Sequence, residues 1–418
     1  MSRLRAQDRL KAALQGYYAG LTAPVAWCSS VGPAEILYAL GFHVYFPENH
    51  GALLGASRTA TPNILRAQRE GYGEEVCSYL TADIGAYLAG ETPLTGAYGL
   101  ASVPKPDLIV YCTNQCHEVA EWFGYYAREF QCPCVGVHPP RYVDEVSESA
   151  IAHVVRQFED VIAAGERVTG ARLDRKRLAE VVDLSRRGAE LWKQTLETAR
   201  STPAPLTFWD STILMAPIVT MRGTQACVDF YRETLEELRQ LAGAGTAAVP
   251  DEEVRLYWEG MPIWGRLRKL SDWFAECRAA VVASTYCNSW VFDCLEADRP
   301  LASMAEACTR IFINRSEDAK LRILRELLAD YRIDGVVYHD ARTCGNNTNC
   351  RFGLPRRLQE ATGIPFLTLH GDLNDLRFFS EGQTRTRLET FAERLRPRGG
   401  PPAHREEGFP SPNQIRAR

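Results

Sequence analysis

No Cys-x-x-Cys pair occurs in this chain, although it holds 13 cysteines. That absence removes the common zinc ribbons and thioredoxin-like redox motifs. No Gly-x4-Gly-Lys-Ser/Thr loop is present, so ATP hydrolysis by the phosphate-loop route is excluded. His-Glu-x-x-His and Gly-x-Ser-x-Gly are missing too, and with them two familiar hydrolase chemistries. There is no excess of basic residues: 48 Lys and Arg against 52 Asp and Glu leave a net charge of -4, which argues against nucleic-acid binding. Long apolar runs are lacking as well. The greasiest stretch, Ala279 to Ala297, is broken by Asn288, Asp293 and Glu296, so a membrane span is not expected. The opening Met1-Ser2-Arg3-Leu4-Arg5 continues as a polar amphipathic pattern without the apolar core of a secretion signal.

What is there is an ordinary globular mixture, with 45% hydrophobic and 24% charged residues. A length of 418 residues suggests two or three domains. The cysteines are odd in number and spread from Cys28 to Cys350. In a reducing compartment they read as small buried hydrophobes, with a few free to act as metal ligands.

Residues 1–21 read as a leading helix capped by Ser2, with Leu4, Leu10, Leu14, Tyr17, Tyr18 and Leu21 at helical spacing. Residues 22–143 alternate short strands and helices: strands at Pro24–Cys28, Phe42–Phe46, Asp107–Tyr111 and Cys134–Val137, with helices at Ala34–Leu40, Tyr79–Ala89 and Glu118–Phe130. Residues 144–250 are dominated by long charged helices, such as 174–200 and 226–241. Gly243-Ala244-Gly245 follows a helix and lacks the third glycine of a dinucleotide fingerprint, so it reads as a linker. Residues 251–395 return to the alternating pattern, with strands at 279–285, 335–339 and 365–369 and helices at 319–331, 354–362 and from Thr384. Ser316, followed by Glu317 and Asp318, is the expected cap of the helix through Ala319. Residues 396–418, rich in proline and glycine, read as a disordered tail. The fold class expected is α/β: two parallel-sheet domains, Rossmann-like or flavodoxin-like, with a helical segment between them.

Three cysteines fall where such folds place functional groups, beyond a strand's carboxyl end or at the head of a helix. Cys116 follows the strand 107–111, Cys344 follows the strand 335–339, and Cys77 heads the helix around Tyr79. A helix N-terminus favours a thiolate, the form that binds metal. By spacing alone, three unrelated buried cysteines remain an equal reading. Glu48 and His50, in Pro47-Glu48-Asn49-His50, follow a strand on an expected loop and are candidate proton donors or solvated polar groups. His117 beside Cys116 is either a tuning group or a surface histidine, and Asp83 and Asn114 read as structural or as groups that support the site residues from behind.

The phrases Trp27-Cys28-Ser29-Ser30-Val31-Gly32-Pro33-Ala34-Glu35, Val76-Cys77-Ser78-Tyr79-Leu80, Thr113-Asn114-Gln115-Cys116 and Asp334-Gly335-Val336-Val337-Tyr338-His339 through Cys344 together resemble one family, the 2-hydroxyacyl-CoA dehydratases and benzoyl-CoA reductases. Gly363-Ile364-Pro365-Phe366-Leu367, Gly371-Asp372 and Gly382-Gln383-Thr384-Arg385 also fit it. The likeness runs from about Thr22 to Leu395 and is specific in combination, weak motif by motif. It implies a cytoplasmic, oxygen-sensitive subunit with one [4Fe-4S] cluster held by three cysteines, matching Cys77, Cys116 and Cys344 here. Cys112 is the alternative to Cys116, and Cys350 a weaker one to Cys344. Cys28 is a lesser candidate for the site, while Cys132, Cys134, Cys287 and Cys294 are expected in the core. The resemblance further implies a related iron–sulfur partner subunit, a separate ATP-hydrolysing activator and an acyl-CoA substrate, whose phosphates Arg141, Arg58 or Lys105 could meet. The reductase branch, one-electron reduction of an aromatic acyl-CoA ring, is the first reading. Radical dehydration of a 2-hydroxyacyl-CoA, or a non-catalytic electron relay, are the alternatives.

Overall fold

The computed structural model describes residues 4–396. Ser2, the expected cap, and all but the first residue of the expected tail lie outside the described residues. The first sheet comprises β1 (Val25–Cys28), β2 (His43–Tyr45), β3 (Leu108–Cys112) and β4 (Cys134–Val137), all parallel, in the order β2-β1-β3-β4. The second comprises β5 (Val254–Glu259), β6 (Ala279–Ser284), β7 (Gly335–Ala341) and β8 (Phe366–Gly371), also parallel, in the order β6-β5-β7-β8. The two sheets therefore share one winding, the flavodoxin-like one, although no repeat is visible in the residues. In each, the direction of winding reverses between the first and third strands, and a crevice opens at their carboxyl ends.

Every residue of β1, β5 and β6 is buried, as a parallel sheet covered on both faces requires. Between the sheets lie five helices: Glu148–Thr169, Arg175–Glu197, Phe208–Leu214, Ala216–Thr220 and Gln225–Gly243. The leading helix Arg5–Ala19 docks on the last of these. Glu237 accepts the otherwise unpaired backbone N–H groups of Arg5 and Ala6, at 2.7 and 3.0 Å. Ser316 caps the helix Glu317–Asp330 as expected, accepting from the Ala319 N–H at 3.1 Å.

Several local expectations need correcting. Pro47–Ala56 is a helix with proline in its first turn, not a loop, and a second helix, Ala60–Arg69, follows it. The strand β5 carries Arg255 and Glu259 inside the sheet and was not expected. The last helix starts at Glu381, three residues early. Cys134 is exposed on the edge strand β4 instead of lying in the core.

Close helix packing is set by glycine. A Cβ at Gly85, in the helix Ser78–Ala89, would stand 1.9 Å from the Asn63 carbonyl oxygen of the helix Ala60–Arg69. A Cβ at Gly55 would meet Asn374 and Trp264, which belong to the second half of the chain. Among the described residues, no helix is long and apolar enough to cross a membrane.

Candidate functional site

Both crevices open on one cavity of about 810 Å³. The loops after β1, β3, β5 and β7 reach it through Ser30, Gln115, Met261 and Asn346 respectively. Its walls are mainly apolar and aromatic, with Trp209, Trp264, Tyr286 and Trp290 among them. Cys77, Cys116 and Cys344 all line it.

The three segments that carry these cysteines are tied to one another. The Glu118 carboxylate, two residues after Cys116, accepts the Cys77 N–H at 2.7 Å. Thr343, one residue before Cys344, accepts the Ser78 N–H at 3.0 Å through its hydroxyl and donates that hydroxyl to Asp372 at 2.6 Å. Arg141 spans the remaining gap, donating to the Thr113 carbonyl at 3.0 Å and to Asn346 at 3.3 Å. A strand-end loop, a helix head and a second strand-end loop are thereby held in one register.

Each sulfur also has backbone N–H groups beside it: Leu80 for Cys77, Val119 and Glu118 for Cys116, and Asn347 for Cys344. Such donors favour a thiolate. Burial outweighs them: it pushes Cys116 to about 11 and Cys344 to about 12, and raises Cys77 well above its ordinary value. The sulfurs also raise one another, since each would oppose a second negative charge. Without a cation, the three are thiols.

Glu48 lies on the helix Pro47–Ala56 with its carboxyl in the cavity wall. Its Oε1 accepts from the Ser30 N–H at 2.9 Å and from Gln115 at 3.3 Å. Its Oε2 is buried without a protein partner. Burial is the main cause that pushes this acid up to about 7, so near neutral pH it can hold or release a proton at Oε2.

The other sequence candidates fall elsewhere. His50 is buried beneath the helix, with one ring nitrogen on Asp83 and the other 2.8 Å from Thr92. Asp83 also accepts from Trp122 and Tyr126, at 2.8 and 2.7 Å. This is a packed polar network behind the cavity wall: Trp122 lines the cavity, whereas Asp83 and His50 do not and serve as framework there. Cys112 ends β3 fully buried, its sulfur 3.2 Å from that of Cys308, and Cys28 is equally buried; neither lines the cavity. Asn114 is structural, donating to the Cys308 carbonyl at 2.9 Å. His117 is exposed. Of the three cations considered for phosphates, only Arg58 lines the cavity; Arg141 is occupied between loops.

Sequence reasoning passed over Glu118, whose place in an acidic first turn resembles an ordinary helix-dipole residue. Ser30 and Gln115 were visible only as motif members. Among the described residues, no three His, Cys, Asp or Glu side chains converge tightly enough to share a single metal ion.

A family model described as 2-hydroxyglutaryl-CoA dehydratase, D-component, matches residues 29–395. The chain is 30% identical over 382 residues to the lactoyl-CoA dehydratase subunit alpha of Anaerotignum propionicum, covering 89% of this chain and 90% of that one. It is 29% identical to the (R)-2-hydroxyisocaproyl-CoA dehydratase alpha subunit of Clostridioides difficile, over 88% and 90% of the two chains. It is 27% identical to one of the benzoyl-CoA reductase subunits of Thauera aromatica, over 82% of each.

Proposed function

Because the chain belongs to the family of the 2-hydroxyglutaryl-CoA dehydratase D-component, we propose that it is the subunit of a 2-hydroxyacyl-CoA dehydratase that binds the substrate beside a [4Fe-4S] cluster. The observation that carries this reading is the cross-tied set of Cys77, Cys116 and Cys344 lining one cavity with Glu48. The donor set suits such a cluster. Three thiols ringing a cavity wall can each reach a different iron, whereas a single ion would need all three on one point. Their neighbouring N–H groups and the absence of a fourth cysteine among the lining residues also agree with it. When bound, the cluster would supply one-electron transfer and a Lewis-acidic iron without a protein thiolate.

The chain's own residues do the rest. The aromatic walls exclude water and hold an acyl chain. Glu48, with Ser30 and Gln115 fixing Oε1, presents Oε2 to move a proton to or from the bound thioester. Glu118 and Thr343 keep the cysteine loops in place. A related iron–sulfur subunit and a separate ATP-hydrolysing activator are the partners this reading calls for, in the cytoplasm.

Dehydration takes precedence over ring reduction because three dehydratase relatives match at 30%, 29% and 28% identity over more of the chain than the reductase relative at 27%, although a fourth dehydratase relative matches at 23%. Aromatic lining by Trp264 and Tyr286 keeps ring reduction as the second reading. Anaerobic turnover with activator and ATP decides between them. Product from a 2-hydroxyacyl-CoA and none from benzoyl-CoA is expected, and the reverse would overturn the choice. Iron and sulfide analysis of anaerobically purified protein tests the cluster, and an iron-free protein would remove it.

A further inference from the structure

The cavity is chemically graded. Its lining includes the buried Glu48 and the half-buried Cys77, Cys116 and Cys344, while its exposed lining residues include Lys11, Arg58, Arg268 and Asp272. Lys11, Arg58 and Arg268 are the cations in the lining, and they come from three separate elements: the leading helix, the turn after the helix Pro47–Ala56, and the helix Leu267–Glu276. Among the described residues, none of these three side chains makes an ion pair or hydrogen bond. Most arginines at this protein's surface are paired with a carboxylate, so three unpaired cations on one rim mark a place prepared for negative charge.

A second observation points the same way. Gln7 is one of the cavity's lining residues, and its side-chain nitrogen is buried without a partner. Gln7 stands one turn before Lys11 on the same helix face, so donor and cation point together. A buried amide N–H left unpaired is costly, and a ligand oxygen would relieve it. Arg58 is moreover held at φ 61°, in the left-handed region, which sets where its side chain leaves the turn.

We propose that Gln7, Lys11, Arg58 and Arg268 form a clamp for the phosphate groups of the adenosine end of a coenzyme A thioester. This rests on the proposed function, and it fixes the direction of entry: acyl group inward to Glu48 and the thiols, 3′-phospho-ADP at the rim. Carboxylates face the same cavity at Glu48, Glu118 and Asp272. Asp272 is on the rim, one turn from Arg268, and opposes the anion.

Equilibrium binding to the full-length chain tests the clamp with three probes: an acyl-CoA, the matching acyl-pantetheine without the nucleotide, and ADP. Lys11→Ala, Arg58→Ala and Arg268→Ala should each weaken acyl-CoA about fivefold, the size of an exposed charge pair. Together they should weaken it about 100-fold, with a salt dependence that the triple variant loses. Acyl-pantetheine binding should not change. Asp272→Asn should tighten acyl-CoA by about fivefold. Unchanged acyl-CoA affinity in the triple variant, or equal losses for both thioesters, would overturn the clamp while leaving the proposed function standing. ADP bound more tightly than acyl-CoA and lost in the same variants would make this a free-nucleotide site, and also overturn it. No binding of either thioester by the unaltered chain would bring down both readings.

Discussion

Glu48 has one carboxyl oxygen supplied with donors and the other bare, and that asymmetry has consequences in both activity and stability. If it carries the proton in catalysis, Glu48→Gln keeps the shape and loses the acid. Turnover should then fall by about 100-fold or more while thioester affinity is retained, as steady-state kinetics beside equilibrium binding will show. The sign of the stability effect follows from its value. The acid is raised from 4.5 to about 7 in the folded protein, so between those values the folded chain holds a proton that the unfolded chain releases. Stability therefore falls as pH rises from about 4.5 to 7, and stays at the lower level above. Glu259 is also pushed up to about 7 by burial and shares the same window. Urea unfolding across pH 4 to 8 should show this slope, and Glu48→Gln should flatten it in part. The cysteines give a sharper contrast. Cys344→Ser should lose cluster iron, while Cys132→Ser, away from the cavity lining, should retain it; equal iron in both would refute the ligand assignment. The positions of Cys116 and Cys344 beyond strand ends are readable from sequence. The choice of Cys116 over Cys112 becomes physical only through Cys308, a neighbour 196 residues away that claims the Cys112 sulfur.

Secondary structure was most legible where one face is apolar and the other is not. The helix Glu118–Phe130 buries Val119, Trp122, Phe123 and Tyr126 at helical spacing, and its limits can be read from the sequence. The helix Pro47–Ala56 is buried on nearly every side, including at Glu48, His50, Gly51 and Gly55, so no amphipathic period remains to betray it. The strand β5 is hidden for another reason. Arg255 and Glu259 look like solvent-facing residues, yet both are buried in the sheet. Arg255 is satisfied by Glu252 and by the carbonyls of Ala199, Ser201 and Tyr331, and Glu259 by Thr285 and Asn349. All of those partners except Glu252 are distant in sequence, and propensity has no knowledge of them. The same reasoning makes Gly85→Ala informative. Its methyl would strike the Asn63 carbonyl, so the two helices must separate and stability should drop by about 1–3 kcal/mol in denaturant titration. Helix propensity alone would have it rise by up to about 1 kcal/mol.

Across the whole molecule, the parallel α/β character and the helical middle could be inferred from the alternation of patterns, but the shared winding of the sheets could not. It depends on which strand lies beside which, a tertiary fact. The joining of parts is concentrated in a few buried groups. Arg222, from the helical middle, pairs with Glu35 at 2.9 Å and donates to the carbonyls of Ser30 and Gly32. It thereby fixes the loop that presents the Ser30 N–H to Glu48. Arg222→Ala removes the buried ion-pair partner of Glu35, and should cost about 3–5 kcal/mol by equilibrium unfolding. Lysine, lacking the fork of donors, should recover little of it.

The cavity takes its lining from Gln7 at one end of the described chain to Leu373 near the other. A gene cut anywhere between the sheets would hand each fragment a wall and neither fragment a room. Any version shortened to a single sheet forfeits the chamber itself, and with it whatever chemistry is carried out there.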